Sequence, residues 1–414
     1  MDAEALDEAT LGVATPLSDL LVVDLSRILS GPCAAMILGD LGARVIKVER
    51  PGAGDDTRSW GPPFVASQEA CVSTYFLSVN RNKESVVLDL KTRDGREALL
   101  ELTRRADVVV ENFRDGVLAR LQLSHSELLE VNPRLIVLSI SGFGHKGPDA
   151  ARAGYDQIVQ GEAGIMSVTG PGPGEPLKVG VPIGDVMAGL YGVVGVLAAL
   201  RARAATGRGC VVRTSLLAAL VASHTFQGTR WLVGGEIPQA SGNHHPTVAP
   251  YGTYQCRDGV IQIAIGNDAL WRRFAPLIDV DPADRRFGTN ADRIAHQAEL
   301  DDLMRQGVAK HDKTHWLSTL ADQGIPAGNI KSIDEVYEDP QVQEQGLIIE
   351  MKHPSLGAMK LAGPPVSFDG MVRRAHAAPP MLGEHTRAIL AWLDQPATQS
   401  AGPRHDGNET ETNT

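Results

Sequence analysis

The chain has 414 residues, and 39 Lys plus Arg against 50 Asp plus Glu give a formal net charge of −11. With 43% hydrophobic and 21% charged residues, its composition is typical of a globular protein and excludes a disordered or membrane-embedded chain. The acidic balance argues against a nucleic-acid partner, because phosphate neutralisation requires clustered Lys and Arg.

Short apolar strands alternate with helical segments over the first 140 residues. Strands are predicted at residues 20–24, 44–48, 85–90, 106–110 and 135–140, and helices at 31–41, at 94–105 and after Ser124, where Glu127 completes a capping box. Consecutive βα units joined by short loops predict a parallel sheet with helices on both faces. We therefore expect an α/β fold with a doubly wound, mostly parallel sheet in a Rossmann-like large domain.

The pattern changes in the second half of the chain. Helices are predicted at 185–205 and 216–233, then strands at 252–255 and 260–265, helices at 269–277, 294–309 and 313–322, strands at 357–361 and 364–368, and a helix at 385–393. We expect a large α/β domain whose first part is residues 17–227, an inserted smaller α+β domain at 228–330, a return segment at 331–394, and disordered tails at 1–16 and 395–414. The apolar run 186–200 is too short to span a bilayer, so a buried helix is expected.

The cysteines and the N-terminal segment indicate the cellular compartment in which the protein is expected. The four cysteines are far apart and form no C-x-x-C pair, which predicts a reduced protein without a disulfide framework or a metal site. Residues 1–17 contain acidic and no basic side chains, which is unlike a secretion signal or a transit peptide. We expect a cytoplasmic protein with no membrane partner.

Asp185 is the side chain in the sequence most suggestive of chemistry. It lies in the segment VPIGDVMAGLYG, directly before an apolar helix, where free backbone N–H groups and the helix dipole favour an ionised carboxylate. A simple capping role is the alternative. Because Gly180 and Gly184 precede it, a ligand could approach closely, and a carboxylate beside apolar walls can attack an activated acyl group. The first βα turn lacks G-x-G-x-x-G, so dinucleotide binding is not favoured.

Several segments taken together resemble a known family. DLSRILSGPCAAMILGDLGARVIKVERPGAGDDTR, LSVNRNKESVVLDLK, VENF, GYDQIVQ, GVPIGDVMAGLYG, GIPAGNI, DPQV and LGEHT occur in this order between residues 17 and 394. This series resembles the family III (formyl-CoA transferase-like, CaiB/BaiF) CoA-transferases, which include the α-methylacyl-CoA racemases. The resemblance implies that Asp185 attacks an acyl-CoA thioester to form an anhydride, then an aspartyl-CoA thioester from which an acceptor carboxylate takes CoA.

The resemblance also implies a binding site for coenzyme A, as substrate rather than as a tightly bound cofactor. The positions that align are Ile28, Leu29, Ser30, Arg50, Leu88, Leu90, Lys91, Asn112, Phe113 and Arg120. The cations among them suit the three phosphate groups of CoA, and several follow strand ends, where α/β sheets bind ligands. Taken singly, each cation could instead be a solvated surface charge. The resemblance further implies a homodimer of interlocked subunits.

Departures from the family pattern bear on the substrate. Formyl-CoA transferases have glutamine where this chain has Leu29, and racemases have histidine where it has Tyr155, a poor α-proton base at neutral pH. GAGDDTRSWGPPF and STYFLSVNRNK resemble the succinyl-CoA–glutarate branch, so we expect succinyl-CoA as donor and a dicarboxylate acceptor. Arg81 and Arg27 are candidates to bind the distal carboxylate, and Tyr155 is a further substrate-binding candidate; either arginine could instead be a structural ion-pair partner. A racemase and a non-catalytic CoA-binding paralogue remain the alternatives.

Overall fold

The computed structural model describes residues 15–67, 70–369 and 375–396, so the predicted tails fall almost wholly outside the described residues. Its strands are β1 (Leu21–Asp24), β2 (Arg44–Glu49), β3 (Phe64–Ala66), β4 (Cys71–Ser73), β5 (Lys83–Val87), β6 (Val108–Glu111), β7 (Ile136–Ser141), β8 (Cys210–Ser215), β9 (Tyr251–Cys256), β10 (Gly259–Ala264), β11 (Ala327–Asn329), β12 (Ile348–His353) and β13 (Gly357–Ala362).

The helices are α1 (Ser30–Asp40), α2 (Thr74–Ser78), α3 (Arg93–Arg105), α4 (Val117–Arg120), α5 (His125–Val131), α6 (Asp156–Glu162), α7 (Ile183–Thr206), α8 (Leu216–Ala222), α9 (Thr225–Leu232), α10 (Asp268–Phe274), α11 (Asn290–Ala295), α12 (Gln297–Val308), α13 (Lys313–Asp322), α14 (Ile333–Tyr337), α15 (Pro340–Glu344) and α16 (Thr386–Leu393). By contacts, the chain divides into two units. Unit 1 comprises the described residues up to Ala163, Val179–Gly228 and those from Gln343 onward, and unit 2 comprises Gly164–Lys178 and Thr229–Val342.

Unit 1 is built on a six-stranded sheet in the order β5-β2-β1-β6-β7-β8, in which every neighbouring pair is parallel. The central strands are apolar and fully buried because helices cover both faces of the sheet. The predicted parallel α/β sheet is confirmed. From β1 the chain winds outward to β2 and β5, then returns to β6 and winds the other way, so the winding direction reverses between β1 and β6.

Two strand predictions for this sheet need correction. The strand predicted at 85–90 is β5, which spans Lys83–Val87. The strand β8 was not predicted from the sequence. β8 lies at the sheet edge and is mostly half-buried or exposed, so it lacks the continuous apolar run that marked the inner strands. The Ser124 capping box is present, with Ser124 and Glu127 bonded reciprocally at the start of α5.

Unit 2 contains the antiparallel sheet β11-β10-β9, and the predicted hairpin of β9 and β10 is confirmed. Its core includes the fully buried aromatic side chains of Trp271, Phe274, Phe287 and Trp316. The predicted smaller domain, 228–330, begins within one residue of Thr229, whereas unit 2 extends to Val342 and also takes in Gly164–Lys178.

Three further element predictions differ from the structure. The predicted helix 216–233 is two helices, because the chain breaks after α8 and Thr225 has a left-handed φ of 47°. The predicted helix 294–309 is likewise divided, between α11 and α12. Residues 364–368 form no strand; Pro364 and Pro365 lack the N–H donors that a sheet needs, and β13 pairs with β12 instead.

The apolar helix α7 has 24 residues and, by length and composition alone, could cross a membrane. In unit 1 it packs against α1, α6, α8, β7 and β8, which is the position of a core helix. The expectation of a buried helix holds only for the face carrying residues such as Ala188, Val193 and Val196, since Leu190 and Val194 are exposed.

Candidate active site

The loops that follow β1 and β6 lie at the carboxyl edge of the sheet, where the winding direction reverses. Ligands of doubly wound sheets bind at such a point, because the two loops diverge there and leave a crevice. Here the loops are joined: the Arg27 backbone N–H donates to Asn112 Oδ1 (2.9 Å), and Asn112 Nδ2 donates to the Arg27 carbonyl (2.7 Å). Two cavities open at this edge, cavity A of about 300 Å³ and cavity B of about 550 Å³.

Asp185 lies in the first turn of α7 and lines cavity A. The backbone N–H and the hydroxyl of Ser30, at the start of α1, both donate to its carboxylate. This contact depends on the close approach of α1 and α7, since a Cβ on Gly189 would lie only 2.9 Å from the Ser30 carbonyl oxygen. The structure therefore brings together two predicted residues that are 155 positions apart in the sequence.

The protonation of Asp185 differs from the expectation. Burial, and then the nearby charge of Asp156, raise the pKa of Asp185 to about 7, against the opposing effect of the Ser30 hydrogen bonds. The backbone N–H groups of Gly184 (2.7 Å) and Asp185 (3.2 Å) donate to Asp156 Oδ1. The prediction that the helix N-terminus keeps Asp185 ionised was wrong, because those amide groups serve Asp156.

The predicted CoA-binding residues separate between the two cavities. Cavity B is lined by Arg27, Arg50, Leu88, Leu90, Lys91, Phe113 and Arg120. Cavity A is lined by Ile28, Ser30, Asn112, Phe113, Tyr155 and Asp185. Phe113 borders both cavities, so they are neighbours at the sheet edge. Leu29 lines neither cavity; it is buried against Cys33, Met36 and Val79.

Comparisons with known proteins bear on this site. A family model described as CoA-transferase family III matches residues 17–386. The chain belongs to this family. It is 40% identical over 383 residues to a succinate–glutarate CoA-transferase of Agrobacterium fabrum, with 92% of this chain and 96% of the relative covered. A succinyl-CoA:glutarate CoA-transferase of Mus musculus is 39% identical over 377 residues, covering 91% of this chain and 86% of the relative.

Among solved structures, a CAIB/BAIF family protein from Brucella suis matches with a TM-score of 0.83 and 40% identity, covering 92% of this chain and 100% of that one. These findings confirm the resemblance and identify this family III member as a CoA-transferase enzyme.

The charged side chains of cavity B have different partners. Arg50 pairs with Asp56 (2.5 Å) and donates to the Gly54 carbonyl (3.0 Å). In contrast, the Lys91 ammonium and the Arg120 guanidinium make no ion pair within the described part of the chain. Two unpaired cations beside the apolar side chain of Leu90 make cavity B suitable for an anionic, partly apolar ligand.

Neither arginine that sequence analysis suggested for a distal carboxylate faces cavity A. Arg27 lines cavity B, with its guanidinium carbon 5.0 Å from the centre of the Phe113 ring and Nη1 3.6 Å from Asp56. Arg81 is 4% exposed, donates to Asp40 through Nε (2.8 Å) and Nη2 (2.5 Å), and reaches the Ala362 carbonyl. This geometry favours the structural alternative for Arg81, and we assign it no substrate contact.

Buried charges hold the loop that leads to Ser30. Lys47 Nζ lies 2.9 Å from Asp55 Oδ2, and Lys83 Nζ lies 2.9 Å from Asp24 Oδ2. Burial opposes ionisation of Asp55, but the Lys47 charge and hydrogen bonds outweigh it and lower the pKa of Asp55 to about 2. Asp55 Oδ1 accepts the backbone N–H of Ile28 (3.2 Å), whose φ of 72° is strained for a β-branched residue.

Several polar residues of cavity A were not predicted from the sequence. Glu111 ends β6, and its Oε1 lies 3.1 Å from His125 Nε2. Arg114 and His145 also line the cavity, on the loops after β6 and β7. Their positions directly after strands that were predicted correctly were the available signal, because side chains on such loops meet at one edge of a parallel sheet.

Proposed function

We propose that the protein transfers CoA from succinyl-CoA to a dicarboxylic acid, with Asp185 as the covalent nucleophile. The observation that carries this proposal is the Asp185 carboxylate lining cavity A with two hydrogen-bond donors from Ser30. The names of the two relatives, which pair succinate or succinyl-CoA with glutarate, support the choice of substrates.

The proposed reaction consists of acyl transfers that balance without net proton transfer. An Asp185 oxygen attacks the thioester carbonyl, the C–S bond breaks, and CoA thiolate leaves an aspartyl–succinyl anhydride. The thiolate then attacks the Asp185 carbonyl carbon, releasing succinate and forming an aspartyl-CoA thioester. The acceptor carboxylate attacks that thioester, and the released thiolate attacks the acceptor acyl carbon, which regenerates the Asp185 carboxylate and gives the new acyl-CoA.

The surroundings of Asp185 suit a nucleophile that must also act as a leaving group. Partial burial removes the water shell that weakens a carboxylate as a nucleophile and that would hydrolyse an anhydride. The Ser30 donors stabilise the anion that is regenerated in the last step. We propose that cavity B, with Lys91 and Arg120, binds the phosphate groups of CoA while the thioester lies in cavity A.

Trapping of the intermediate tests the nucleophile. The wild type incubated with succinyl-CoA and then with hydroxylamine should yield a hydroxamate on the peptide carrying Asp185, identified by mass spectrometry. Glu111 and Asp115 line the same cavity and serve as internal controls. Asp185→Asn should lose both the adduct and thioester exchange. Adduct formation on another carboxylate, or exchange at the wild-type rate in Asp185→Asn, contradicts the proposal, and deuterium exchange at the α-carbon without acceptor supports a racemase instead.

We also propose that two copies form a homodimer. Leu190, Val194 and Leu197 form an apolar row on α7 and are 42%, 63% and 38% exposed in the single chain. Exposure of such a row on a 24-residue helix to water is unfavourable, and contact with a second copy of the chain would bury these side chains. Light scattering should give about twice the 44.2 kDa chain mass, and Val194→Glu should reduce it to one chain. A monomeric wild type at micromolar concentration contradicts this proposal.

A further inference from the structure

His145 has the most unusual polar environment of the residues that line cavity A. It lies on the loop after β7, between Gly144 (φ 107°) and Gly147 (φ 93°), both of which have backbone angles that glycine alone adopts easily. Its Nε2 atom is buried and has no hydrogen-bond partner among the described residues. A buried nitrogen without a partner is costly unless a ligand supplies one.

Most other buried side-chain atoms without a hydrogen bond belong to residues that line neither cavity. Among the described residues they are Arg44 Nη1, Asp55 Oδ2, Tyr254 Oη, Trp271 Nε1 and His353 Nε2, and of these only the Asp55 atom belongs to a cavity-lining residue. Asp55 Oδ2 nevertheless has the Lys47 ammonium at 2.9 Å. Within this part of the chain, His145 is therefore the cavity-lining residue with a buried side-chain nitrogen that has neither a hydrogen bond nor an ion pair.

The other donors around cavity A are engaged or solvated. Arg152 pairs with Glu162 and stacks over the Phe143 ring, 4.5 Å from its centre. His125 Nε2 is held at 3.1 Å by Glu111. Arg114 is exposed, so water competes with any ligand for its guanidinium. The Nε2 atom of His145 is buried, so water does not satisfy it.

We propose that the imidazole of His145, which lines cavity A, donates a hydrogen bond to the second carboxylate of the dicarboxylate, while the first carboxylate reacts at Asp185. This specificity role rests on the proposed function, because it assumes that acid exchange takes place in cavity A. A carboxylate is the strongest acceptor that a substrate of this class offers, and a partly desolvated imidazole donor makes it selective over an uncharged chain end. The same residue thereby distinguishes dicarboxylic from monocarboxylic acids.

Paired acceptors test the proposal. His145→Leu and His145→Gln are compared with wild type using succinyl-CoA and either glutarate or its monomethyl ester, which keeps one carboxylate and a similar length. His145→Leu should raise KM for glutarate about 10-fold or more and leave KM for the monoester within about 2-fold. Gln retains an N–H donor and should restore part of the glutarate affinity. Lys146→Ala changes the adjacent exposed cation and is the matched control.

The outcomes separate this inference from the proposed function. Equal losses in kcat for both acids would assign His145 to the reacting carbonyl and overturn the specificity role. A selective loss in Arg114→Gln rather than in the His145 variants would transfer the role to Arg114. Calorimetric binding of glutarate to Asp185→Asn, with and without His145→Leu, gives a readout independent of turnover. Absence of exchange with every acid in the wild type would refute the proposed function itself.

Discussion

Replacing Asp156 with Asn should move the acidic limb of the pH–rate profile to lower pH. The nucleophile must be ionised, and the pKa of Asp185 near 7 predicts that kcat/KM falls below about pH 7 in the wild type. Asp156 Oδ1 lies 3.2 Å from the Asp185 backbone nitrogen, which places the two carboxylates within about 6 Å of each other. At an effective dielectric constant of about 20 to 40, their repulsion is about 1.4 to 2.8 kcal/mol.

That repulsion corresponds to about one to two pH units, so the limb in Asp156→Asn should lie between about pH 5 and 6. It should remain above the ordinary aspartate pKa of 3.8, because burial is the larger cause of the shift. Asn retains an oxygen that can accept the Gly184 and Asp185 N–H groups, so α7 keeps its N-terminal partner. The assay is kcat/KM for succinyl-CoA between pH 4.5 and 9. The control is Glu162→Gln, which changes another carboxylate of α6, the helix that carries Asp156. An unmoved limb in a folded Asp156→Asn variant refutes the electrostatic argument.

Three further predictions concern stability and binding. Because the pKa of Asp185 is raised from 3.8 to about 7, the folded protein loses stability as the pH rises between these values. In denaturant titrations, Asp185→Asn should therefore add little to the free energy of unfolding at pH 4 and up to about 4 kcal/mol at pH 8. Arg81→Ala should lower the free energy of unfolding by about 3 kcal/mol, since it leaves the Asp40 carboxylate buried without its partner. The same variant should change KM for mono- and dicarboxylates alike, and an increase in KM for dicarboxylates alone would reinstate Arg81 as a substrate ligand. Lys91→Ala should raise KM for the acyl-CoA about 10-fold at low salt and less at high salt, and an unchanged KM at low salt would exclude Lys91 from CoA binding.

The sequence was sufficient for the features that depend on local pattern. Strands that are buried on both faces are mostly apolar, so β1, β6 and β7 are visible as apolar runs between helices. The inner strand β2 differs, because it also buries Arg44, Lys47 and Glu49. The capping box at Ser124 and the hairpin of β9 and β10 are likewise encoded within a few residues. The edge strand β8 was missed because half-exposed positions do not need to be apolar.

The position of Asp185 at the start of an apolar helix was predictable from the sequence, but its ionisation was not. The pKa depends on the charge of Asp156, 29 positions earlier, and on donors from Ser30, which is brought near only when α1 packs against α7. The pairing of Arg81 with Asp40 was equally invisible, because a residue's spacing along the chain carries no information about a partner on another element. Sequence pattern determined which segments are buried and which loops meet at the sheet edge, whereas only tertiary packing decided which charges face each other there.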